Sequence, residues 1–182
     1  MRITGGRWRG RIVACPPGVI RPMMDRMRES MFSILGDISG LSFLDLFAGS
    51  GIMSLEALSR GAAGAMLVEN DVKKRSVILE NLKIAGNDYS REELILLIRP
   101  AERVLKPGMK RFDLVHLDPP FALTNKMRLL ELAQLAGQPA PEGVLAIHHP
   151  AGEQLPGELG ALRCPDRRIY GQSSLTFYTR SD

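Results

Sequence analysis

Three short stretches of the chain carry residue types that could do chemistry. The first, Asp45-Leu46-Phe47-Ala48-Gly49-Ser50-Gly51, lies where an apolar run gives way to a helical pattern. Glycines at such a strand-to-helix turn let the backbone approach a ligand, and the helix that follows turns its N–H groups toward polar groups of that ligand. Gly49-x-Gly51-x-x-Ser54 loosely imitates a dinucleotide fingerprint, so on the glycines alone a nicotinamide-dependent dehydrogenase stays open. Asp45 argues against it, because an acid just before the turn repels a pyrophosphate and attracts a cationic amino acid moiety. The second stretch is Glu69, which closes the next apolar run. An acid at that place can accept both hydroxyls of a ribose; the plainer alternative is a carboxylate that caps the following helix together with Asn70 and Asp71. The third is Asp118-Pro119-Pro120-Phe121, at the end of the apolar run FDLVHL. Two prolines fix an extended backbone and remove two N–H donors, so carbonyl and carboxylate oxygens remain as acceptors suited to an amino group. Phe121 adds a flat face for a planar ring. Taken alone, this stretch also reads as a rigid loop start with Asp118 capping a helix; its place after the other two, in chain order, favours a site.

Elements of a definite kind must position these residues. After Gly40 the hydrophobic pattern repeats strand, glycine turn and helix. It predicts strands over 41–46, 65–69, 94–98, 112–117 and 144–148, and helices over 52–60, 72–85 and 127–136. Ile78, Leu79, Leu82 and Ala85 form the apolar face of the 72–85 helix, on which Asn81 could also point toward the site. Two further strands, over 163–170 and 175–179, have no helix between them and so predict an antiparallel hairpin. Alternation of this kind predicts an α/β fold, a mostly parallel sheet with helices on both faces. Ahead of it, β-prone runs over 2–4 and 11–14 flank GGRWRG and predict a small hairpin. A helix from Pro22 follows, with Met24, Met27, Met31, Ile34 and Leu35 as its core stripe and Gly36 as its stop.

Composition narrows the partners. The chain has 182 residues, 45% of them apolar and 5% aromatic, which suits one folded domain and excludes a disordered chain. Its net charge of +4 hides an asymmetry: residues 1–28 hold seven arginines and one acid, net +6, leaving −2 for the rest. Arginine without lysine, interleaved with glycine and Trp8, favours a guanidinium surface that forks onto phosphate and stacks on bases. Arg7, Trp8, Arg9, Arg11, Arg21 and Arg26 are the candidates for contact with RNA, the alternative being a solvated basic edge. Cys15 and Cys164 stand far apart with no Cys/His cluster to hold a metal, which suits a reducing cytoplasm. No apolar run reaches the roughly 18 residues of a membrane span, and the N-terminus lacks the features of an export signal. His116, His148 and His149 show neither ligand spacing nor an acid partner in the sequence and are expected to be structural.

In this order, DLFAGSG, Glu69 and DPPF resemble a class I S-adenosylmethionine-dependent methyltransferase acting on an exocyclic amino group. RPMMDRMRESMFSIL, DLFAGSGIMSLEALSRGA and the opening MRITGGRWRGR extend the likeness over nearly the whole chain, to the RsmD-type 16S ribosomal RNA guanine-N2 methyltransferases. The resemblance implies a Rossmann-like, seven-stranded methyltransferase sheet over 37–182, preceded by an RNA-contacting hairpin and helix over 1–36. It also implies methyl transfer to a guanine N2 of the small-subunit RNA in an assembling particle. By position, Asp45, Phe47, Ala48, Gly49 and Gly51 would line the methionine half of S-adenosylmethionine, Glu69 would take its ribose, and Asp118, Pro119, Pro120 and Phe121 would hold the base. No metal is called for. The chain departs from the family pattern in two places. Arg99-Pro100-Ala101-Glu102 stands where an acid followed by alanine is usual near the adenine, so Ala101 and Glu102 are the candidates there, and Phe121 stands where tyrosine is common. Different classes of function also fit these residues: an amino-group methyltransferase on DNA adenine or protein glutamine, and a non-catalytic RNA-binding module.

Overall fold

The computed structural model describes residues 1–16 and 23–181 and divides into two compact units, Met1–Arg99 and Pro100–Asp182. Pro22 and Arg21, expected at a helix start and on an RNA surface, lie outside the described residues.

The first unit is built on three parallel strands, β1 (Ser42–Leu46), β2 (Gly64–Glu69) and β3 (Leu94–Ile98), with β2 in the middle. Helix α2 (Ile52–Ser59) connects β1 to β2 and is buried along its whole length. A helix that is apolar nearly all round needs a partner on every side, and its three polar residues show who supplies it. Ser54 donates to Asp45. Ser59 accepts from the Trp8 amide and donates to the Gly5 carbonyl. Glu56, fully buried, accepts from the Thr4 amide and hydroxyl, the Gly5 amide, Arg28 Nε at 3.2 Å and Arg60. The N-terminal segment is therefore tied to α2 by hydrogen bonds to a buried charge, in addition to a short ladder of its own. The expected hairpin forms as a short antiparallel pairing around the Arg2–Ile12 bridge: Met1 and Val13 exchange hydrogen bonds at 3.0 and 2.9 Å, Ile3 donates to the Arg11 carbonyl and Gly10 to the Ile3 carbonyl, while the Thr4 and Gly5 amides turn to Glu56.

Helix α1 (Asp25–Leu35) buries Met27, Arg28, Met31 and Phe32, while Met24 and Ile34 of the expected stripe face solvent. The face is rotated toward Arg28, whose guanidinium meets Glu56, the Met23 and Arg2 carbonyls and Asp25. The helix expected over 72–85 is α-helical only at α3 (Arg75–Leu82), with a tight 3-10 turn on each side. Asp71 accepts the Lys73 amide and tightens the first turn; Gly86, at φ 59°, ends the last. Leu79 is exposed, and Asn81 takes a buried place instead.

The second unit contains α4 (Ala101–Val104), β4 (Leu114–Leu117), α5 (Lys126–Leu135), β5 (Val144–Pro150), a two-residue β6 (Glu158–Leu159), β7 (Leu162–Tyr170) and β8 (Ser173–Arg180). β4 and β5 are parallel, β8 runs antiparallel to β5 and β7, and β6 pairs with β7. The class is the expected Rossmann-like α/β, parallel first and antiparallel at the C-terminal end. Among the described residues it has eight strands rather than seven because the short β6 carries no hydrophobic period to announce it.

Replacing Glu56 by alanine would leave the buried Arg28 with only the exposed carboxylate of Asp25, and would remove the acceptor of the Thr4 and Gly5 amides. It should cost about 3–5 kcal/mol of stability in urea unfolding. A loss under about 1 kcal/mol would show that the segment is held by its apolar contacts alone.

Candidate active site

In the first unit the glycine turn is set by the register of β1 on β2, which pairs Leu46 with Val68 and leaves Phe47 and Glu69 as the next residues. Ala48, buried, donates its amide to the Val68 carbonyl, and its own carbonyl accepts the Gly51 amide. Phe47 sits at φ 68°, a region that costs a bulky residue about 1–3 kcal/mol and persists only where the surroundings impose it. Gly49 (φ 61°) and Gly51 (φ 80°) share that hand. A Cβ on Gly51 would come within 3.1 Å of Leu67, so this glycine lets helix meet sheet; a Cβ on Gly49 would meet only the Phe47 carbonyl oxygen, at 3.9 Å, which leaves the room a ligand needs.

The Gly49 amide points at Glu69, donating to Oε2 at 2.9 Å; the Asp71 amide donates to Oε1 at 2.9 Å, and Lys74 Nζ lies 3.2 Å from Oε2. Both readings of Glu69 thus have a basis in one carboxylate. It orders the start of the next turn through Asp71, and it is locked to the glycine turn through Gly49; Oε1, with one donor, keeps lone-pair capacity for a hydroxyl, and Oε2 gains it where Lys74 gives way. Asp45 is buried and accepts from Ser54 Oγ at 2.8 Å, which fixes its carboxylate against α2. Asn81 closes the back of the turn: its Nδ2 donates to the Ser50 and Ala14 carbonyls and its Oδ1 accepts the Ala14 amide. The donor set and the open space at Gly49 fit a nucleoside bearing a free ribose diol.

In the second unit, β4 pairs with β5 up to Leu117 and Ile147, so Asp118 and His148 come next on adjacent strands. His148 Nδ1 lies 2.7 Å from Asp118 Oδ1, and the Phe121 ring meets the imidazole edge-on at 5.0 Å between centroids. His148 therefore has the acid partner that the sequence does not reveal, since the two are thirty positions apart in the chain. His149 is structural, as expected. Its Nδ1 bonds the Pro150 carbonyl and its Nε2 the Thr176 hydroxyl, and burial pushes its imidazole below the usual histidine range.

Of the carbonyls after Asp118, that of Pro120 accepts the Leu123 amide, and those of Phe121 and Leu123 accept Lys126 Nζ at 3.2 and 2.6 Å. Lys126, almost wholly buried, also pairs with Glu153 at 2.9 Å. It is the main residue that sequence reasoning misses. A lysine opening a helix gives no sign that its ammonium turns back to pin the loop before it. Asp118 keeps its Oδ2 and stands partly open to solvent beside Pro119.

The remaining candidates divide. Ala101 is buried at the start of α4 and Glu102 is exposed. Arg9, Arg11 and Arg26 are exposed, as an RNA surface requires. Arg7 lies over the Trp8 ring at 4.5 Å and faces Asp88 and Tyr89, and Trp8 is 7% exposed. The indole is used in the core of the first unit and offers little face to a base. Among the described residues no cluster of ligating side chains could hold a metal ion, and no helix is long and apolar enough to cross a membrane.

Residues 1–179 match the family model described as "Conserved hypothetical protein 95". The chain is 33% identical to ribosomal RNA small subunit methyltransferase D of Escherichia coli (strain K12), over 99% of this chain and 90% of that one. It is 31% identical to YlbH of Bacillus subtilis (strain 168), over 99% of both. Among solved structures, yhhF of Escherichia coli matches with a TM-score of 0.87 and 32% identity, over 100% of this chain and 98% of that one.

Lys126→Met should lower stability by about 1–3 kcal/mol, since two carbonyls and Glu153 lose a charged donor. Amide hydrogen exchange over 121–125 should quicken while α2 stays protected. Unchanged exchange there would show that the loop holds itself without the lysine.

Proposed function

The chain belongs to the RsmD-type family of ribosomal RNA methyltransferases, and from that premise we propose that it moves a methyl group from S-adenosylmethionine to the exocyclic N2 of a guanine in small-subunit ribosomal RNA. The observation that carries this reading is the division of acceptors between the units. The first offers a carboxylate locked to a glycine turn, suited to a ribose diol. The second offers a partly exposed carboxylate and an aromatic ring, suited to an amino-bearing planar base.

S-adenosylmethionine brings its methyl already activated on a sulfonium, so the protein's work is to bind, align and manage one proton. Glu69 would accept the ribose hydroxyls, Asp45 and the turn from Phe47 to Gly51 would receive the methionine half, and Ala101 and Glu102 would border the adenine. The guanine N2 lone pair is delocalised into its ring. Hydrogen bonds from its hydrogens to Asp118 Oδ2 and the Pro119 carbonyl favour the pyramidal, nucleophilic form. Phe121 would stack on the base, and Asp118 would accept the proton released on methylation, directly or through water. A paired guanine cannot reach such a site, so the substrate would present a loop or a flipped nucleotide. Arg9, Arg11 and Arg26 would meet RNA phosphates, with the residues over 1–36 serving as an RNA-contacting extension, and an assembling small-subunit particle is the substrate form that best supplies an unpaired base. The acid-aromatic pair after β4 favours catalysis over a bare RNA-binding module, and the arginines favour RNA over a protein glutamine.

Two substitutions separate the two roles. Glu69→Ala should weaken S-adenosylmethionine binding about ten- to a hundredfold in calorimetry, the loss of charge-assisted hydrogen bonds to two hydroxyls. Asp118→Ala should cut turnover by roughly 10²–10⁴ with little change in that affinity. Near-normal methylation by Asp118→Ala, or unchanged affinity in a folded Glu69→Ala, would remove the residue concerned from the site.

A further inference from the structure

His148 is 5% exposed, and its Nε2 is enclosed with no hydrogen-bond partner. Native folds rarely leave such an atom unsatisfied without return. The neighbouring His149, on the same strand, has both nitrogens paired. An apolar side chain at 148 would fill the same space without an orphaned nitrogen, so packing does not explain the imidazole. What it provides is the other nitrogen. A carboxylate has only lone pairs to offer, so Nδ1 is the donor in the 2.7 Å contact with Asp118 Oδ1, and Nε2 is the atom left without a partner. The same ring carries the edge contact with Phe121. One side chain thus touches both the acid and the aromatic residue of Asp118-Pro119-Pro120-Phe121.

We propose that His148 is a positioning residue for the acceptor base: by occupying Oδ1 of Asp118 it fixes the carboxylate plane and leaves Oδ2 as the oxygen that meets the amino group, and by abutting Phe121 it sets the ring on which the base lies. This rests on the reading of Asp118 and Phe121 as the base-holding residues. During transfer the amino nitrogen forms its bond to the methyl carbon, the pair of the breaking carbon–sulfur bond stays with sulfur, and the nitrogen's proton passes to Oδ2. The Nδ1–H to Oδ1 bond persists throughout, so His148 neither gains nor loses a proton. Its contribution is geometric: an acid free to rotate would present the wrong oxygen or lie out of line, and small misplacements are costly in such reactions.

The test compares the full-length enzyme with His148→Leu, His148→Asn, Asp118→Asn and the double variant Asp118→Asn/His148→Leu, on small ribosomal particles from cells lacking the enzyme. His148→Leu should lower kcat about 10- to 100-fold while S-adenosylmethionine affinity stays within about twofold and thermal stability does not fall. His148→Asn, whose amide can place a donor near the Nδ1 position, should recover most of kcat. In the Asp118→Asn background, adding His148→Leu should cost little more, because a residue acting through Asp118 has nothing left to position. His148→Leu turning over within about threefold of the parent, His148→Asn being as slow as a folded His148→Leu, or full additivity in the double variant would each overturn the proposal. Should Asp118→Asn itself keep full activity, the base-site reading fails first; a slow Asp118→Asn beside a normal His148→Leu defeats the positioning role alone.

Discussion

Parallel strands that stay in register to their last residue decide where this chain can do chemistry. A parallel pair leaves the backbone groups of both carboxyl ends facing the same way, and the residues one step past the last pair become neighbours whatever their separation in sequence. In the first unit that step brings Phe47 and Glu69 together past Leu46 and Val68. The amide of Gly49 then closes on the Glu69 carboxylate, so the strained turn and the acid hold one another in place. In the second unit the same step past Leu117 and Ile147 sets Asp118 against His148. A shift of one residue in either register would turn each acid to the opposite face of its strand.

Segments without regular structure are held by buried charges, and the two examples share a logic. Glu56 collects the amides of Thr4 and Gly5, and Lys126 collects the carbonyls of Phe121 and Leu123. In each case an irregular backbone has polar groups with no ladder to join, and one ion inside the protein satisfies several of them at once. Each ion in turn has a countercharge, Arg28 for Glu56 and Glu153 for Lys126, without which its burial would be prohibitive. The arrangement spends arginine and lysine on structure, which is why charge counted along the sequence overstates the basic surface. Of the arginines near the N-terminus, Arg28 is interior and Arg7 is engaged with Trp8, Tyr89 and Asp88.

What the sequence makes legible is what local rules control. The DLFAGSG turn, Glu69 at a strand end and the DPPF step follow from glycine, acid and proline placed where hydrophobic period changes, and the strand and helix order follows from that period itself. What stays hidden depends on partners distant in the chain. Helix α1 looks like a methionine stripe, yet Arg28 enters its buried face because Glu56 waits on another helix. Trp8 looks like a stacking platform among arginines but packs edge-on against Tyr89. His148 looks idle because its acid lies on the neighbouring strand, and Lys126 looks like a solvated helix start. The short hairpin at the N-terminus is legible by the same local rules, whereas the turn of the Thr4 and Gly5 amides to Glu56 is not.

The most direct measurement follows the methyl group itself. Purified protein, isotopically labelled S-adenosylmethionine and small ribosomal particles from cells lacking the enzyme would be incubated together, and the RNA then digested to nucleosides and mapped. Label recovered in N2-methylguanosine at one position of the small-subunit RNA, about one methyl per particle, is the expected result. Label recovered in a methylated adenosine or in ribosomal protein, or no transfer by a folded enzyme that binds the methyl donor, would contradict the assignment of the amino-bearing guanine as the group that Asp118 and Phe121 hold.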